Sequence, residues 1–175
     1  MSSIHDFLAT LKGGGARQNR FEVVVNFPAF AGGADEIRKT PFLVQSTNMP
    51  GANLGTLEVP FRGRQLKLVG DRTYDEWEAT FYADTSYDLY DAFERWHNAM
   101  NQFNSNTGFQ SPDEYMSTVG VYQLDNQDNR IKEKNLQLAW PSMLGPIELS
   151  QDGNDTISLF TVTFQYSDIQ SNSTT

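Results

Sequence analysis

Leu54-Gly55-Thr56-Leu57-Glu58-Val59-Pro60-Phe61-Arg62-Gly63-Arg64-Gln65-Leu66-Lys67-Leu68-Val69-Gly70 reads as two β arms joined by a tight turn. Leu57, Val59 and Phe61 alternate along the first arm, and Leu66 and Leu68 along the second, which is the two-residue period of a strand. The turn falls around Phe61 to Arg64. Pro60 has no N–H to give to a ladder, so the first arm is expected to keep a free edge.

Working outward, Trp77, Ala79 and Phe81 mark a strand whose other face carries Glu76, Glu78 and Thr80. Upstream, Phe42 to Thr47 is expected to be a strand, ended by Met49-Pro50-Gly51. The segment from Pro28 to Thr40, rich in Gly, Ala and charge, reads as a loop. Phe21, Val23, Val25 and Phe27 alternate with Glu22, Val24 and Asn26 as a half-buried strand. Residues 3–12 place Ile4, Phe7, Leu8 and Leu11 at helical spacing, stopped by Gly13-Gly14-Gly15, so 1–15 is read as a short helix with a glycine linker. Downstream, a helix is expected over about 86–103, with Leu89, Phe93, Trp96, Met100 and Phe103 as one apolar stripe and Asp84, Asp88 and Asp91 at its start. Strands follow at about 117–124, 133–140 and 157–166, and the polar tail 167–175 is expected to fray. The pattern predicts one α+β domain over 1–175, mainly β: a sheet sandwich or barrel with one principal flanking helix.

Composition narrows the function classes. The chain has 175 residues and is 38% hydrophobic, enough for one domain with a real core. No apolar run reaches the ~18 residues of a membrane span, and Met1-Ser2-Ser3-Ile4-His5-Asp6 lacks the basic-then-apolar order of a secretory signal. With no cysteine, disulfides and thiolate metal sites are excluded, which fits a reducing cytoplasm. A net charge of −9 argues against direct nucleic-acid binding, which needs clustered cations.

Catalytic signatures do not emerge. His5 and His97 lie far apart and lack metal-ligand spacing. Gly13-Gly14-Gly15 precedes a strand, the wrong order for a phosphate loop. Asp84, Asp88, Asp91 and Glu94 read as a solvated helix face. Asp125-Asn126-Gln127-Asp128-Asn129 lacks the central glycine and distal glutamate of a calcium loop and reads as a turn. We therefore assign no catalytic and no metal-binding residue, expect no cofactor, and read the chain as not an enzyme.

One charge pattern stands out. Arg62, Arg64, Lys67 and Arg72 put four of the thirteen Lys and Arg residues within eleven positions of an acidic chain. They either keep an edge hairpin soluble or meet an acidic patch on a neighbouring copy, as head-to-tail assembly would require.

Leu66-Lys67-Leu68-Val69-Gly70-Asp71-Arg72-Thr73-Tyr74-Asp75-Glu76-Trp77 resembles the signature of the tail tube family of contractile-tailed bacteriophages, a Gly-Asp-Arg-Thr-aromatic-acidic-acidic-Trp run directly after a long hairpin. Gly70, Asp71, Arg72, Thr73, Tyr74 and Trp77 carry the match. Ala16-Arg17-Gln18-Asn19-Arg20-Phe21 resembles the family's lead into its first strand, Met49-Pro50-Gly51 its Pro-centred turn, and the segment from Trp140-Pro141 to Leu149 its late Trp-Pro element. The resemblance spans about 10–166. The Ala-Gly loop at 31–39 and the tail after Tyr166 depart from it.

The resemblance implies a two-sheet, β-barrel-like subunit similar to the secreted tube protein of type VI systems. It implies homohexameric rings that stack into a tube, with the hairpin reaching the adjacent ring. Arg62, Arg64, Lys67, Arg72, Leu57, Val59 and Phe61 are then the candidates for inter-subunit contact. Implied partners are further copies of the chain, a tail sheath, baseplate and tail terminator proteins, and a tape measure protein in the lumen. DNA would pass through an acidic lumen without specific binding, in a virion tail assembled in the host cytoplasm. A tube of a related secretion or bacteriocin device, or a small β-sandwich binding module, are the alternatives.

Overall fold

The computed structural model describes residues 3–11 and 15–174. In chain order the elements are α1 (Ile4–Thr10), β1 (Phe21–Val25), α2 (Ala34–Leu43), β2 (Val44–Thr47), β3 (Asn53–Phe61), β4 (Arg64–Thr73), β5 (Trp77–Tyr82), α3 (Asp88–Met100), α4 (Pro112–Tyr115), β6 (Ser117–Leu124), β7 (Arg130–Leu144), β8 (Leu159–Gln165) and β9 (Asp168–Ser171). Gly13 and Gly14 of the expected linker lie outside the described residues.

β7 organises the sheet. Its first half pairs with β6 on one side and β9 on the other, and its second half pairs with β8. The full order is β1-β6-β7-β8-β5-β2, all antiparallel, with β9 beside β7. Between the two halves Leu138 takes φ 54, a left-handed conformation that interrupts the strand. The chain thereby forms two layers that share one strand. Among the described residues the sheet stays open, with β1 and β2 at its ends. It is a sandwich and not a closed barrel.

Both layers turn apolar residues to one core. Val23, Val25, Val119, Val121 and Leu136 come from the first layer, and Trp77, Ala79, Phe81, Phe160, Val162 and Phe164 from the second. α3 fills the remaining side with Leu89, Ala92, Phe93 and Trp96. The Phe93 ring lies 4.9 Å from Phe27, 5.6 Å from Phe81 and 5.9 Å from Phe164, joining β1's extension, β5 and β8 in one aromatic cluster. The helix ends at Met100, so Phe103, expected to extend the stripe, lies beyond it and is 73% exposed.

Two segments differ from expectation. Residues 34–43, read as the end of a loop and the start of a strand, form α2. Glu36 starts it by accepting from the Gly33 N–H at 2.8 Å, which holds its carboxyl below the usual range. Pro41 leaves the Ile37 carbonyl without its helical donor, and the Thr40 hydroxyl donates there instead, at 2.8 Å. The same Thr40 oxygen accepts from the Val25 N–H at 3.3 Å, fastening α2 to the edge of β1. Lys39 pairs with Asp88 and, at 3.5 Å, with Asp84, so part of the carboxylate face expected to be merely solvated ties α2 to α3. Residues 168–171, expected to fray, form β9: long β7 offers an edge and Ile169 packs on the core.

Candidate assembly interface

β3 and β4 pair only with each other among the described residues. Their nine- and ten-residue arms make a ribbon about 30 Å long. Arg62 and Gly63 both have positive φ, 45° and 79°, the two-residue turn whose twist suits a hairpin. Residues directly opposite in an antiparallel pair share a face. Leu57 faces Leu68, Val59 faces Leu66, and Phe61 faces Arg64, giving one apolar face. Leu57 is 56% exposed, Phe61 65% and Leu68 45%.

The opposite face is polar. Glu58 and Lys67 pair across it at 3.7 Å, with Pro60 and Gln65 beside them. Arg62 lies over the Phe61 ring at 5.4 Å. Arg64 stands on the apolar face at the tip, and Arg72 lies at the root opposite Leu54. The four cations named from the sequence are thus not one patch: two sit at the tip, one on the polar face and one at the root.

The root is tightly built. A register shift between Leu54 and Thr56 sets Gly55 against both Gly70 and Asp71. A Cβ on Gly70 would lie 3.0 Å from the Gly55 carbonyl carbon, so a side chain there would push the two backbones apart by a few tenths of an ångström. Thr73 pairs with Asn53. Tyr74 donates its hydroxyl to Asp168 at 3.0 Å and packs on Tyr166. Trp77 is buried against Phe164, its indole N–H donating to the Asn48 carbonyl at 2.8 Å. Trp140 meets Tyr115 edge to face, and Pro141 sits at a bulge in β7.

A second surface belongs to β2, β5, β8 and the end of β7. Their outer side carries Ser46, Glu78, Thr80, Thr161 and Gln165, and Gln165 donates to Glu76 at 2.6 Å. None of Val44–Thr47, Trp77–Tyr82, Leu159–Gln165 or Trp140–Leu144 contains a Lys or Arg.

The family described as phage tail tube protein matches residues 16–172. The chain belongs to that family. A tail tube protein of Serratia phage KSP90 is 36% identical over 168 residues, covering 95% of each chain. Tail tube protein gp19 of Enterobacteria phage T4 is 29% identical over 150 residues, covering 85% of this chain and 86% of its own. In fold the chain is similar to a chain of the anti-feeding prophage baseplate (TM-score 0.65, 16% identity, 89% and 94% covered). It is likewise similar to one from the sheath–tube complex of an extracellular contractile injection system (TM-score 0.61, 15% identity, 98% and 99% covered).

As a tail tube protein the chain is a structural subunit and not an enzyme. The Gly70–Trp77 run does architectural work. Gly70 lets the hairpin cross its own root, while Tyr74 and Trp77 pin that root to β9 and β8. The acidic turn after β6 behaves as the sequence suggests. Asp125 accepts from the Gln127 and Asn129 N–H groups at 2.7 and 2.9 Å, and these hold its carboxyl below the usual range. The sequence reading missed Lys132 and Lys134, which join Arg72 around a concavity at the hairpin root. Their period-two spacing on one strand face was the available signal.

Proposed function

We propose that this subunit builds the inner tube of a contractile phage tail, as homohexameric rings that stack and let genome DNA pass through their lumen. One observation carries the reading: an amphipathic hairpin about 30 Å long whose apolar face has no partner among the described residues. Water-exposed, such a ribbon is an aggregation hazard; in a tube it meets a neighbouring ring. The open edges at β2 and at the end of β7 leave backbone groups for a neighbouring subunit in the same ring, so that the sheets run on as a continuous inner wall.

The cation-free outer side of β5 and β8 would line that wall. Duplex DNA carries about one charge per 1.7 Å, and each Lys or Arg contact would add affinity. Hydroxyls with Glu76 and Glu78 give DNA nothing to hold and a reason to slide. The contractile setting supplies the remaining partners: sheath around the tube, baseplate and terminator at its ends, tape measure protein in the lumen before ejection. Assembly takes place in the host cytoplasm.

Light scattering of purified full-length protein, alone and with baseplate, tests the reading. Rings and tubes are the expected result, with no retention of duplex DNA at about 50 mM salt. Protein that stays monomeric at high concentration and with baseplate would overturn it.

A further inference from the structure

Among the described residues, five cations have carboxylate partners: Arg20, Lys39, Lys67, Arg95 and Arg130. Arg72, Lys132 and Lys134 have none among the described residues, yet all three line one concavity of about 760 Å³ at the root of the hairpin. Lys132 donates to the Ser173 hydroxyl at 2.8 Å, and Lys134 to the Pro50 carbonyl. Both partners are neutral. Asp168 is the single carboxylate in the lining, and its Oδ1 already accepts from the Tyr74 hydroxyl and the Ile169 N–H. Burial, with Lys132 adding to it, pushes the Lys134 ammonium below its ordinary range. Three cations thus face a single carboxylate here, in a chain of net charge −9.

The answering anions lie at the far end of the same strand. β7 starts beside the concavity and ends at Leu144, after which residues 145–158 connect it to β8. That connection contains Glu148, Asp152 and Asp155 and no Lys or Arg. All three carboxylates are exposed and have no ion-pair partner among the described residues. A 15-residue strand spans at most about 50 Å, somewhat less with the bend at Leu138. The loop lines a different hollow, with Thr80 and β8, and shares no lining residue with the basic concavity of its own chain. The turn Asp125–Asn129 is no rival for a stacked copy: it lies at the concavity's own end of β7, and Asp128 is held by Arg20 at 2.7 Å.

From this arrangement we infer that the Arg72–Lys132–Lys134 concavity is the socket for the acidic loop, residues 148–155, of a second copy stacked head to tail. The contact is heterologous, so repeating it extends a stack without limit. It also fixes polarity, because inverting a copy would set concavity against concavity. This inference rests on the tube reading above and adds which two surfaces meet between rings. Leu149, 81% exposed within the loop, would be covered in the same contact.

Charge exchange in the full-length chain tests it. The doubles Arg72→Glu with Lys132→Glu, and Asp152→Lys with Asp155→Lys, should each raise the concentration needed for tube growth at least about tenfold. Combining all four should restore growth, since the pairing is re-formed with its signs reversed. Circular dichroism checks the fold. If a reversal fails to fold, the neutral variants Lys132→Gln and Asp152→Asn should flatten the salt dependence of growth, and unchanged slopes would overturn the inference. Wild-type growth by both doubles, or no rescue in the combination, would also overturn it. Leu57→Asp distinguishes the two levels. If it blocks tubes while the charge doubles do not, stacking by the hairpin stands and the socket falls. Wild-type protein that never forms tubes brings both down.

Discussion

Glu58 and Lys67 face each other across the hairpin at 3.7 Å, while their chain neighbours Leu57 and Leu68 face each other on its opposite side. The charge on that element is therefore partly satisfied within the chain, and its apolar side is not. Both side chains of the pair are well exposed, so the pair itself is worth no more than about 1 kcal/mol.

The apolar face is accordingly predicted to matter more for assembly than the charge. Leu57→Asp or Leu68→Asp should leave the circular dichroism spectrum and Tm near wild type, because neither residue touches the core. Tube formation should be lost. Lys67→Ala should shorten tubes little. Arg64, on the apolar side of the tip, is the cation whose reversal to Glu should block stacking in a folded monomer. Equal tube lengths for Leu57→Asp and wild type would show that the face is only solvated surface.

Gly70→Ala separates aim from stability. The added carbon would press on the Gly55 backbone at about 3 Å, forcing the crossing strands apart. The domain should melt within a few degrees of wild type, since the hairpin stands outside the core. Tube yield should fall several-fold, because the ribbon leaves its root at a different angle. Electron microscopy and a melting curve on one sample decide it.

Phe93→Ala should do the reverse. Its ring touches Phe27, Phe81, Phe160 and Phe164 at the meeting of both layers and α3. Truncation in such a site costs about 3–5 kcal/mol, a large share of the roughly 5–15 kcal/mol that holds a domain together. Denaturant unfolding should show that loss as a lower midpoint at an unchanged slope.

How much of this was legible beforehand depended on whether one segment explains itself. The hairpin did, because its period, its Arg62-Gly63 turn and its Pro60 all lie within seventeen residues. So did the α3 stripe and the strand at Trp77. α2 did not, because its Gly, Ala and charged residues read as a loop, and the helical bond lost at Pro41 is replaced by the Thr40 hydroxyl, which no sequence pattern announces. β9 has one apolar residue, Ile169, in a polar stretch, and exists because β8 pairs only with Trp140–Leu144 and leaves the edge of Lys134–Gln137 free. The basic concavity joins residues 60 positions apart (72 and 132), which no local pattern reveals.

Mild acid should loosen the join of α2 to α3. The Lys39 ammonium and the Ser86 hydroxyl hold the Asp88 carboxyl below its ordinary range, and the Gly33 N–H and Glu36's own backbone N–H do so for Glu36. Both groups thus have folded pKa values below their unfolded ones. Their stabilisation is present above about pH 4 and is lost as pH falls through the lower folded values. Amide exchange in residues 34–43 should accelerate on acidification before exchange in β5 or β8 does.

Cryo-electron microscopy of the assembled wild-type protein tests the central claim most directly. The account predicts stacked six-fold rings, each hairpin seated by its Leu57–Leu68 face on the adjacent ring, and Glu76 and Glu78 toward the lumen. Particles that remain single subunits, or rings whose hairpins project free into solvent with Lys and Arg lining the channel, would contradict it.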